Sequence, residues 1–429
     1  MGRKEQHHNI RKILLFLWVV AAPLCTLNGQ TPLEDPTFVT PYSFINYDTN
    51  RLIQPGDRPL LGHFFNKLDS LLFYGTGQVH IVHIGGSHIQ TDIYTHQVRK
   101  RLQQLQPGMH GGRGLIFPVR VTGSNNPTNF TVGYTGRWQH CRNTTRNATC
   151  NFGLAGMMVV TGDSLATITI SNRDTSLPFG SDIIRVHHYD PTHNYRITMA
   201  TDDPWLVHSI QQVHQGITEI RLNAPVDTFT LEFYKTDNSP AFIEVHGIES
   251  TTDHPGVIYS ALGVNGASIP SFLRANLMGE QLHAIKADLV VISLGTNDGY
   301  STRFDPGVFE RNYEELIRTI QTAVPEADIL LTVPNDVYLR RRRANPATIQ
   351  QETVIYRLAQ KHHCGVWNFF QVMGGFNSVP RWHSHGLMQN DRIHFTREGY
   401  LLKGDLMFSA LLKSYGDHLE QKPIITQHP

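Results

Sequence analysis

The sequence predicts an α/β fold that is interrupted by an inserted all-β domain. In residues 60–110 and 256–415, short apolar runs that suit buried strands alternate with helical patterns, as is typical of a parallel sheet covered on both faces. Between Val121 and Glu249, short alternating runs rich in Thr, Asn and Gly predict a β-sandwich. We therefore predict a first α/β part at residues 30–111, an insert at 112–255 and a second α/β part at 256–429. The chain has 429 residues, more than one ordinary domain usually contains.

Residues 1–29 have the pattern of a secretory signal peptide. Basic residues precede the apolar run Ile13–Pro23, and the small residue Gly29 precedes a plausible cleavage point. That run is too short for a comfortable membrane span, and no later segment is long and apolar enough. We expect an exported protein, periplasmic or extracellular, with no stable membrane span in the mature chain. A lipoprotein anchor at Cys25 is a less favoured alternative, because Leu24 stands where a small residue is wanted.

The composition is that of a globular protein with no bias towards nucleic acid. Hydrophobic residues make up 40% and charged residues 17%, and Lys plus Arg (37) nearly equals Asp plus Glu (36). Cys141 and Cys150 flank a polar loop and are expected to pair in an oxidising compartment, whereas Cys364 is expected to be a buried free thiol. No metal or other cofactor is implied, and the oligomeric state is left open.

The first α/β part centres on a strand that ends in Gly85-Gly86-Ser87-His88. An amphipathic helix, Leu60–Leu72, precedes this strand, Val79–Ile84, and the spacing of apolar residues over Thr91–Leu105 predicts a helix after it. The glycines allow a sharp turn, so Ser87 stands where a strand passes into a helix. The first N–H groups of a helix suit an oxyanion, and therefore suit a serine nucleophile. The alternative is an ordinary turn with a helix-capping serine.

The insert is predicted as strands separated by turn residues. The predicted strands are Ala166–Ile170, Ile183–His187, Tyr195–Thr198, Glu219–Leu222, Thr228–Phe233 and Phe242–His246.

The second α/β part has further apolar strands with polar residues or glycine at their ends. Its predicted strands are Val257–Leu262, Leu289–Leu294, Ile329–Val333 and Val366–Phe370, and its helices include Phe309–Ala323 and Ala347–Lys361. Parallel sheets place their sites at the carboxyl ends of the strands. Here those ends carry Ser87, Gly266, Asn297 and Asn335.

Asp391 and His394 stand three residues apart before a predicted helix, Arg397–Ser414, with Thr396 as its N-cap. This spacing allows the carboxylate to accept a hydrogen bond from one imidazole nitrogen while the other nitrogen faces Ser87. The alternative is that the pair only caps the helix and buries a satisfied histidine.

Taken together, these motifs resemble those of the SGNH (GDSL-like) hydrolases, across residues 60–110 and 256–415. The resemblance implies a flavodoxin-like three-layer α/β/α sandwich with Ser87 as nucleophile, His394 as base and Asp391 as its partner. It also implies an oxyanion hole formed by the backbone N–H groups of Ser87 and Gly266 and the side chain of Asn297.

Two positions qualify this pattern. Gly263 is a weaker candidate than Gly266 for the oxyanion-hole glycine. Gly86 replaces the acid that usually precedes the nucleophile in the family, a residue regarded as shaping the turn and not as a member of the triad.

A β-sandwich inserted between the first two motifs is similar to the arrangement in the peptidoglycan O-acetylesterases, whose insert resembles carbohydrate-binding modules. The segment Met373–Phe376, Trp382 and residues 391–400 also resemble that group. The resemblance implies a serine esterase that removes O-acetyl groups from a polysaccharide, most readily peptidoglycan, through an acetyl-enzyme on Ser87. The alternatives are an esterase or acyltransferase acting on acetyl-xylan, sialic acid or lipid esters, and a glycan-binding protein without activity.

Three further features have more ordinary interpretations. The run Arg340–Arg343 is typical of a solvated loop or helix start, with contact to an anionic glycan as the alternative. His383 and His385 lack the companion ligands of a metal site. Trp382 suits either a core or a sugar platform.

Overall fold

The computed structural model describes residues 39–174, 176 and 180–422, so the predicted signal peptide lies outside the described residues. The strands are β1 (Leu52–Ile53), β2 (Gln78–Gly85), β3 (Gly112–Ile116), β4 (Phe130–Thr135), β5 (Gln139–Arg142), β6 (Met157–Thr161), β7 (Leu165–Asn172), β8 (Ser181–Tyr189), β9 (Tyr195–Met199), β10 (Val207–His214), β11 (Ile217–Val226), β12 (Thr228–Lys235), β13 (Ile243–Thr251), β14 (Gly256–Gly263), β15 (Leu289–Ser293), β16 (Asp328–Thr332), β17 (Tyr338–Leu339), β18 (Arg343–Ala344) and β19 (Gly365–Trp367).

The helices lie mainly before and after the antiparallel region. They are α1 (Gly62–Tyr74), α2 (Ser87–Gln90), α3 (Tyr94–Gln103), α4 (Ile269–Phe272), α5 (Met278–Ile285), α6 (Thr296–Gly299), α7 (Pro306–Ala323), α8 (Ala347–His362), α9 (Phe369–Val372), α10 (Val379–Ser384) and α11 (Arg397–Glu420). Within the part of the chain that the structure describes, no helix has both the length and the apolar character of a membrane span.

A mainly parallel sheet carries the α/β part, in the order β1-β19-β16-β15-β2-β14, with only the edge strand β1 antiparallel. Successive residues of β2 point to opposite faces, so Val79 and Ile81 join one apolar core while Val82 and Ile84 join the other. Both faces are therefore covered, which is why the strands read as continuous apolar runs. The predicted α/β fold with additional antiparallel sheets is confirmed.

The strands between residues 112 and 251 form two antiparallel sheets. Their orders are β10-β11-β8-β13-β6-β5, with β3 also paired to β13, and β4-β7-β12-β9. Their buried side chains, such as Ile184 and Leu231, belong to the same apolar core as Val82 and Ile84 of β2. The antiparallel region thus shares its core with one face of the parallel sheet. The limits 112 and 255 stay predictions.

The structure differs from the predicted elements at two places near the sheet. The helix expected over Thr91–Leu105 begins only at Tyr94, because Asp92 is left-handed (φ 50°) where its carboxylate turns inward. The strand expected over Val366–Phe370 ends at Trp367, because the side chain of Asn368 accepts a hydrogen bond from the Gln371 N–H and starts α9.

Several strands were not predicted, and β3 shows most clearly why. Its Gly112 and Gly114 have φ of 110° and 73°, and a Cβ on either would lie within 2.5 Å of a neighbouring atom. Glycine is therefore required there by close approach to β13 and β14, a tertiary cause that strand propensity does not contain.

A buried ionic cluster joins the antiparallel region to the α/β part. Asp92, which is 3% exposed, accepts hydrogen bonds from Arg99 of α3 (3.1 and 3.3 Å) and from Arg113 of β3 (3.3 Å). Both guanidinium groups are buried, and Arg113 also donates to the carbonyl of Asn129 (2.9 Å). Burial alone would raise the pKa of Asp92, but the nearby positive charges, Arg99 first, hold it below its ordinary value.

We expect Asp92→Asn to destabilise the fold by about 3–5 kcal/mol, because two buried guanidinium groups lose the charge that compensates them. The measurement is urea unfolding. The matched control is Asp405→Asn, which removes the carboxylate of the partly exposed Arg101–Asp405 pair (2.9 Å) and is expected to cost under about 1 kcal/mol. Equal losses for the two variants would contradict the structural role given to the cluster.

Candidate active site

The site is built where three neighbouring parallel strands end at the same level. Gly85, the last residue of β2, is in register with Gly263 of β14 and Ser293 of β15. A Cβ on Gly85 would lie 2.4 Å from Ile89 and 2.7 Å from the Ser293 carbonyl, so only glycine fits between the strand and the helix that follows. Residues immediately beyond these strand ends therefore meet at one edge of the sheet.

Ser87 is the first residue of α2 and is partly exposed at that edge. Its Oγ lies 2.7 Å from Nε2 of His394, across 307 positions of sequence. As the first residue of a helix, Ser87 has a backbone N–H with no acceptor within that helix. The predicted strand-to-helix placement of this serine agrees with the geometry.

His394 is held by the loop that precedes α11. Its Nδ1 lies 2.7 Å from Asp391 Oδ2, while Asp391 Oδ1 accepts the backbone N–H groups of Ile393 (2.9 Å) and His394 (3.0 Å). Burial opposes the ionisation of Asp391, but the bonds from His394 and Ile393 outweigh it and lower the pKa of the carboxyl. An ionised carboxylate only accepts, so Nδ1 carries the proton and Nε2 accepts from the Ser87 hydroxyl.

The loop is fixed on both sides. Thr396 caps α11 by accepting from the Gly399 N–H (3.2 Å), as predicted from sequence. Asn335, at the end of the strand β16, donates to the carbonyl of Ile393 (3.4 Å). The polar residue predicted at that strand end therefore supports the loop that carries His394.

Gly266 and Asn297 also come together beside Ser87. The Asn297 side-chain amide donates to the carbonyl of Ala267 (2.8 Å), which leaves its second N–H for another acceptor. Gly266, which precedes Ala267, is exposed with φ 82°, and a Cβ there would meet nothing, so backbone conformation and not space requires the glycine. A Cβ on Gly86 would lie 3.2 Å from the Asn297 amide, which connects both groups to the turn that carries Ser87.

Other predicted positions have packing roles. A Cβ on Gly263 would lie 2.2 Å from the backbone nitrogen of Gln90, so this glycine permits helix–strand contact. Trp382 is fully buried and belongs to the core, which excludes it as a sugar platform.

His383 lies 3.1 Å from the Asn390 side chain, and His385 packs on the Phe44 ring.

Behind Ser87, His394 and Asp391 lie buried polar groups that were not predicted from the sequence. His88 Nδ1 lies 2.9 Å from the Tyr400 hydroxyl, and its ring centroid lies 5.1 Å from that of His394. Lys403, which is 6% exposed, has its ammonium 4.5 Å from the Phe369 ring centroid and 4.7 Å from that of Tyr94. The position of His88 directly after Ser87 could have indicated that it lies near the site. Nothing in the sequence distinguishes Lys403 from the other residues of its long helix.

Burial sets the charge state of these groups. It lowers the pKa of His88 well below the ordinary histidine value, and the positive charge of Lys403 adds to the effect. Burial also lowers the pKa of Lys403, to about 7. His88 is therefore neutral near pH 7, and the ammonium of Lys403 is balanced mainly by the faces of aromatic rings.

Comparison with known proteins adds to this geometry. Residues 237–402 match the model of the GDSL-like lipase/acylhydrolase family. A solved peptidoglycan O-acetylesterase has a TM-score of 0.71 at 22% identity, covering 85% of this chain and 99% of that one. No curated protein sequence gives a significant match.

Two further solved structures score lower. An acetyl xylan esterase is 21% identical and covers 36% of this chain and 80% of that one, with a TM-score of 0.30. A family two carbohydrate esterase from Cellvibrio japonicus is 12% identical and covers 68% of this chain and 99% of that one, with a TM-score of 0.28.

The expected resemblance to GDSL-like hydrolases and the SGNH hydrolase fold are confirmed. The family match includes Gly266, Asn297, Asp391 and His394 but begins after Ser87. The folded chain supplies the serine from its first α/β part, across the antiparallel region.

We expect Lys403→Met to change how stability depends on pH. Between about pH 7 and 10 the unfolded chain keeps a proton on this lysine that the folded chain lacks, so the wild-type stability rises with pH by up to about 1.4 kcal/mol per unit. Below pH 7 the full penalty of burying the charge is present, so the variant should be more stable than wild type there, and the difference should shrink towards pH 10.

The measurement is urea unfolding of both proteins from pH 6 to 10. Lys100→Met, at a partly exposed position of α3, is the control and should follow the wild-type curve. Parallel curves for wild type and Lys403→Met would contradict the buried charge.

Proposed function

We propose that this chain, which contains a GDSL-like lipase/acylhydrolase domain, is an exported serine esterase that removes O-acetyl groups from a polysaccharide, with peptidoglycan as the favoured substrate. The observation that carries the proposal is the continuous set of contacts from Ser87 Oγ to His394 Nε2 and from His394 Nδ1 to Asp391, each 2.7 Å. Such a set gives a hydroxyl a base and gives that base a fixed tautomer.

The reaction follows from this geometry. His394 Nε2 takes the hydroxyl proton as Ser87 Oγ attacks the acetyl carbonyl, and the negative charge forms on the carbonyl oxygen. In this proposal the N–H groups of Ser87 and Gly266 and the side-chain amide of Asn297 donate to that oxygen. The sugar alkoxide leaves with the proton from His394, and an acetyl ester remains on Ser87.

Water completes the cycle. His394 removes a proton from the water as it attacks the acetyl ester, and the collapse of the second tetrahedral intermediate returns that proton to Ser87 Oγ and releases acetate. Asp391 stays ionised throughout and stabilises the positive imidazole in both steps.

Three observations support a polysaccharide substrate outside the cell. The fold is shared over nearly the whole length of a protein described as a peptidoglycan O-acetylesterase. The antiparallel region exposes aromatic rings, including Trp205 (64% exposed) and the neighbouring pair Tyr189 and Phe242, and such rings suit contact with sugars. The disulfide Cys141–Cys150 supports export, because such bonds persist in oxidising compartments.

The test of the function is acetate release from O-acetylated peptidoglycan, acetyl-xylan and a small neutral acetyl ester. We expect the highest kcat/KM on peptidoglycan, and we expect Ser87→Ala to lower turnover of every substrate by at least about a thousandfold. Ser384→Ala, at an exposed serine of α10, is the control and should match wild type. Ser87→Ala activity close to wild type would refute the nucleophile, and a preference for acetyl-xylan would refute the substrate.

A second prediction concerns Asn297. An oxyanion donor acts on charge that exists fully only in the transition state, so Asn297→Ala should lower kcat by at least about tenfold while KM changes little. The melting temperature is measured in parallel, because this amide also pins the Ala267 carbonyl. An activity loss that follows a large fall in melting temperature would show that Asn297 serves only to hold the loop.

A further inference from the structure

Four consecutive arginines form the tip of a small hairpin that the reaction scheme does not use. The strands β17 and β18 pair through residues 338–344, here called the arginine hairpin, and the Arg342 N–H donates to the Leu339 carbonyl (3.0 Å) to close the turn. The two central residues, Arg340 and Arg341, are both left-handed, with φ of 50° and 62°.

Arginine is a poor choice for that backbone. The hairpin loop has three residues, 340–342, and its first two are the central residues of the turn Leu339–Arg342. Turns with positive φ at both central positions favour Asn and Gly there, since a Cβ makes the left-handed conformation unfavourable. The hairpin keeps long charged side chains at the two positions where local conformation disfavours them. Strain of this kind, observed in a structure, points to a function for the side chains that cause it.

The charges of the hairpin are uncompensated. Arg340, Arg341, Arg342 and Arg343 are all exposed, and none forms an ion pair with a carboxylate among the residues that the structure describes. A fifth arginine, Arg392, has its guanidinium 5.2 Å from the Tyr338 ring centroid and donates to the Arg341 carbonyl (3.4 Å). Five positive groups on one small surface repel one another, and an anion bound between them would relieve this repulsion.

The arginine hairpin is hydrogen-bonded to two segments of the candidate active site, the loop that carries His394 and the segment that follows Asn297. The Tyr338 N–H donates to the carbonyl of Arg392 (3.0 Å), which lies between Asp391 and His394 in the chain. On the other side, the Arg340 N–H donates to the Tyr300 hydroxyl (2.9 Å), just after the segment that carries Asn297. The arginines therefore stand at the margin of the site, beside the loop that holds the base.

We propose that the arginine hairpin is a binding subsite for carboxylate groups of an anionic polysaccharide whose O-acetyl group is presented to Ser87. This inference rests on the proposed esterase function and specifies the charge of its substrate. A guanidinium group matches a carboxylate with two parallel hydrogen bonds, and several exposed arginines suit a polymer that repeats its negative charge.

The test replaces the turn residues by those that its backbone prefers, in the double variant Arg340→Asn, Arg341→Gly. This removes two charges without straining the hairpin, so the melting temperature should stay equal or rise. We expect kcat/KM to fall at least tenfold on O-acetylated peptidoglycan and to change less than twofold on acetyl-xylan and on a small neutral acetyl ester. The wild-type activity on peptidoglycan should fall with rising salt more steeply than that of the variant.

The control removes the same charge elsewhere, in the double variant Arg51→Gln, Arg58→Gln, at two exposed positions outside the antiparallel region. It should match wild type on all three substrates. An equal loss in this control, an equal loss of the hairpin variant on all substrates, or no loss on peptidoglycan would each overturn the subsite.

Binding separates the subsite from the proposed reaction. Ser87→Ala protein, with and without the hairpin substitutions, is sedimented with O-acetylated peptidoglycan in the presence of polygalacturonate or polyphosphate. We expect binding that needs the arginines and that polygalacturonate displaces; displacement by polyphosphate alone would overturn the carboxylate assignment. If the wild type bound in this way but released no acetate from any ester, the esterase proposal would fail while the anion subsite stood.

Discussion

The parallel register at Gly85 is the constraint on which the rest of the site depends. Because Gly85 lies level with Gly263 and Ser293, three strands end together and the segments that follow them meet at one edge. The lack of a Cβ on Gly85 lets α2 start in contact with the neighbouring strand. A register shift of one residue in β2 would move each of its side chains to the opposite face of the sheet. It would also displace Ser87 relative to the loops that carry His394 and Asn297.

Polar groups buried within the core hold this edge in place. His83, in the strand that leads to Ser87, contacts the Tyr259 hydroxyl (2.7 Å) on one side and the Ser293 hydroxyl (2.6 Å) on the other. Burial lowers the pKa of this histidine well below its ordinary value, so it is neutral and bridges three adjacent strands by hydrogen bonds. The site is therefore positioned by a satisfied internal network in addition to apolar packing, which suits chemistry that needs donors fixed before the reaction begins.

The antiparallel region is integrated with the α/β part of the chain. It shares an apolar core with the parallel sheet, and Arg113 within it reaches the same carboxylate as Arg99 of α3. The link at Asp92 follows α2 directly, so the cluster fixes the far end of the short helix that begins at Ser87. A polymer bound by the exposed aromatic rings would therefore be held by a unit that shares its apolar core with the sheet that carries the proposed active site.

The sequence by itself determined the features that are local. Apolar runs predicted β2, β14, β15 and β16, the spacing of Asp391 and His394 predicted their contact, and Thr396 predicted the start of α11, because each depends on residues a few positions apart. Only the tertiary structure brings distant segments together. The family resemblance implied the meetings of Ser87 with His394 and of Asn297 with Gly266, whereas no sequence pattern predicted Arg340 beside Tyr300. The strand β3 and the buried state of Lys403 belong to the same class. Close approach of the backbone requires the glycines of β3, and aromatic rings surround the ammonium of Lys403. Both features arise from neighbours that the chain brings together only on folding.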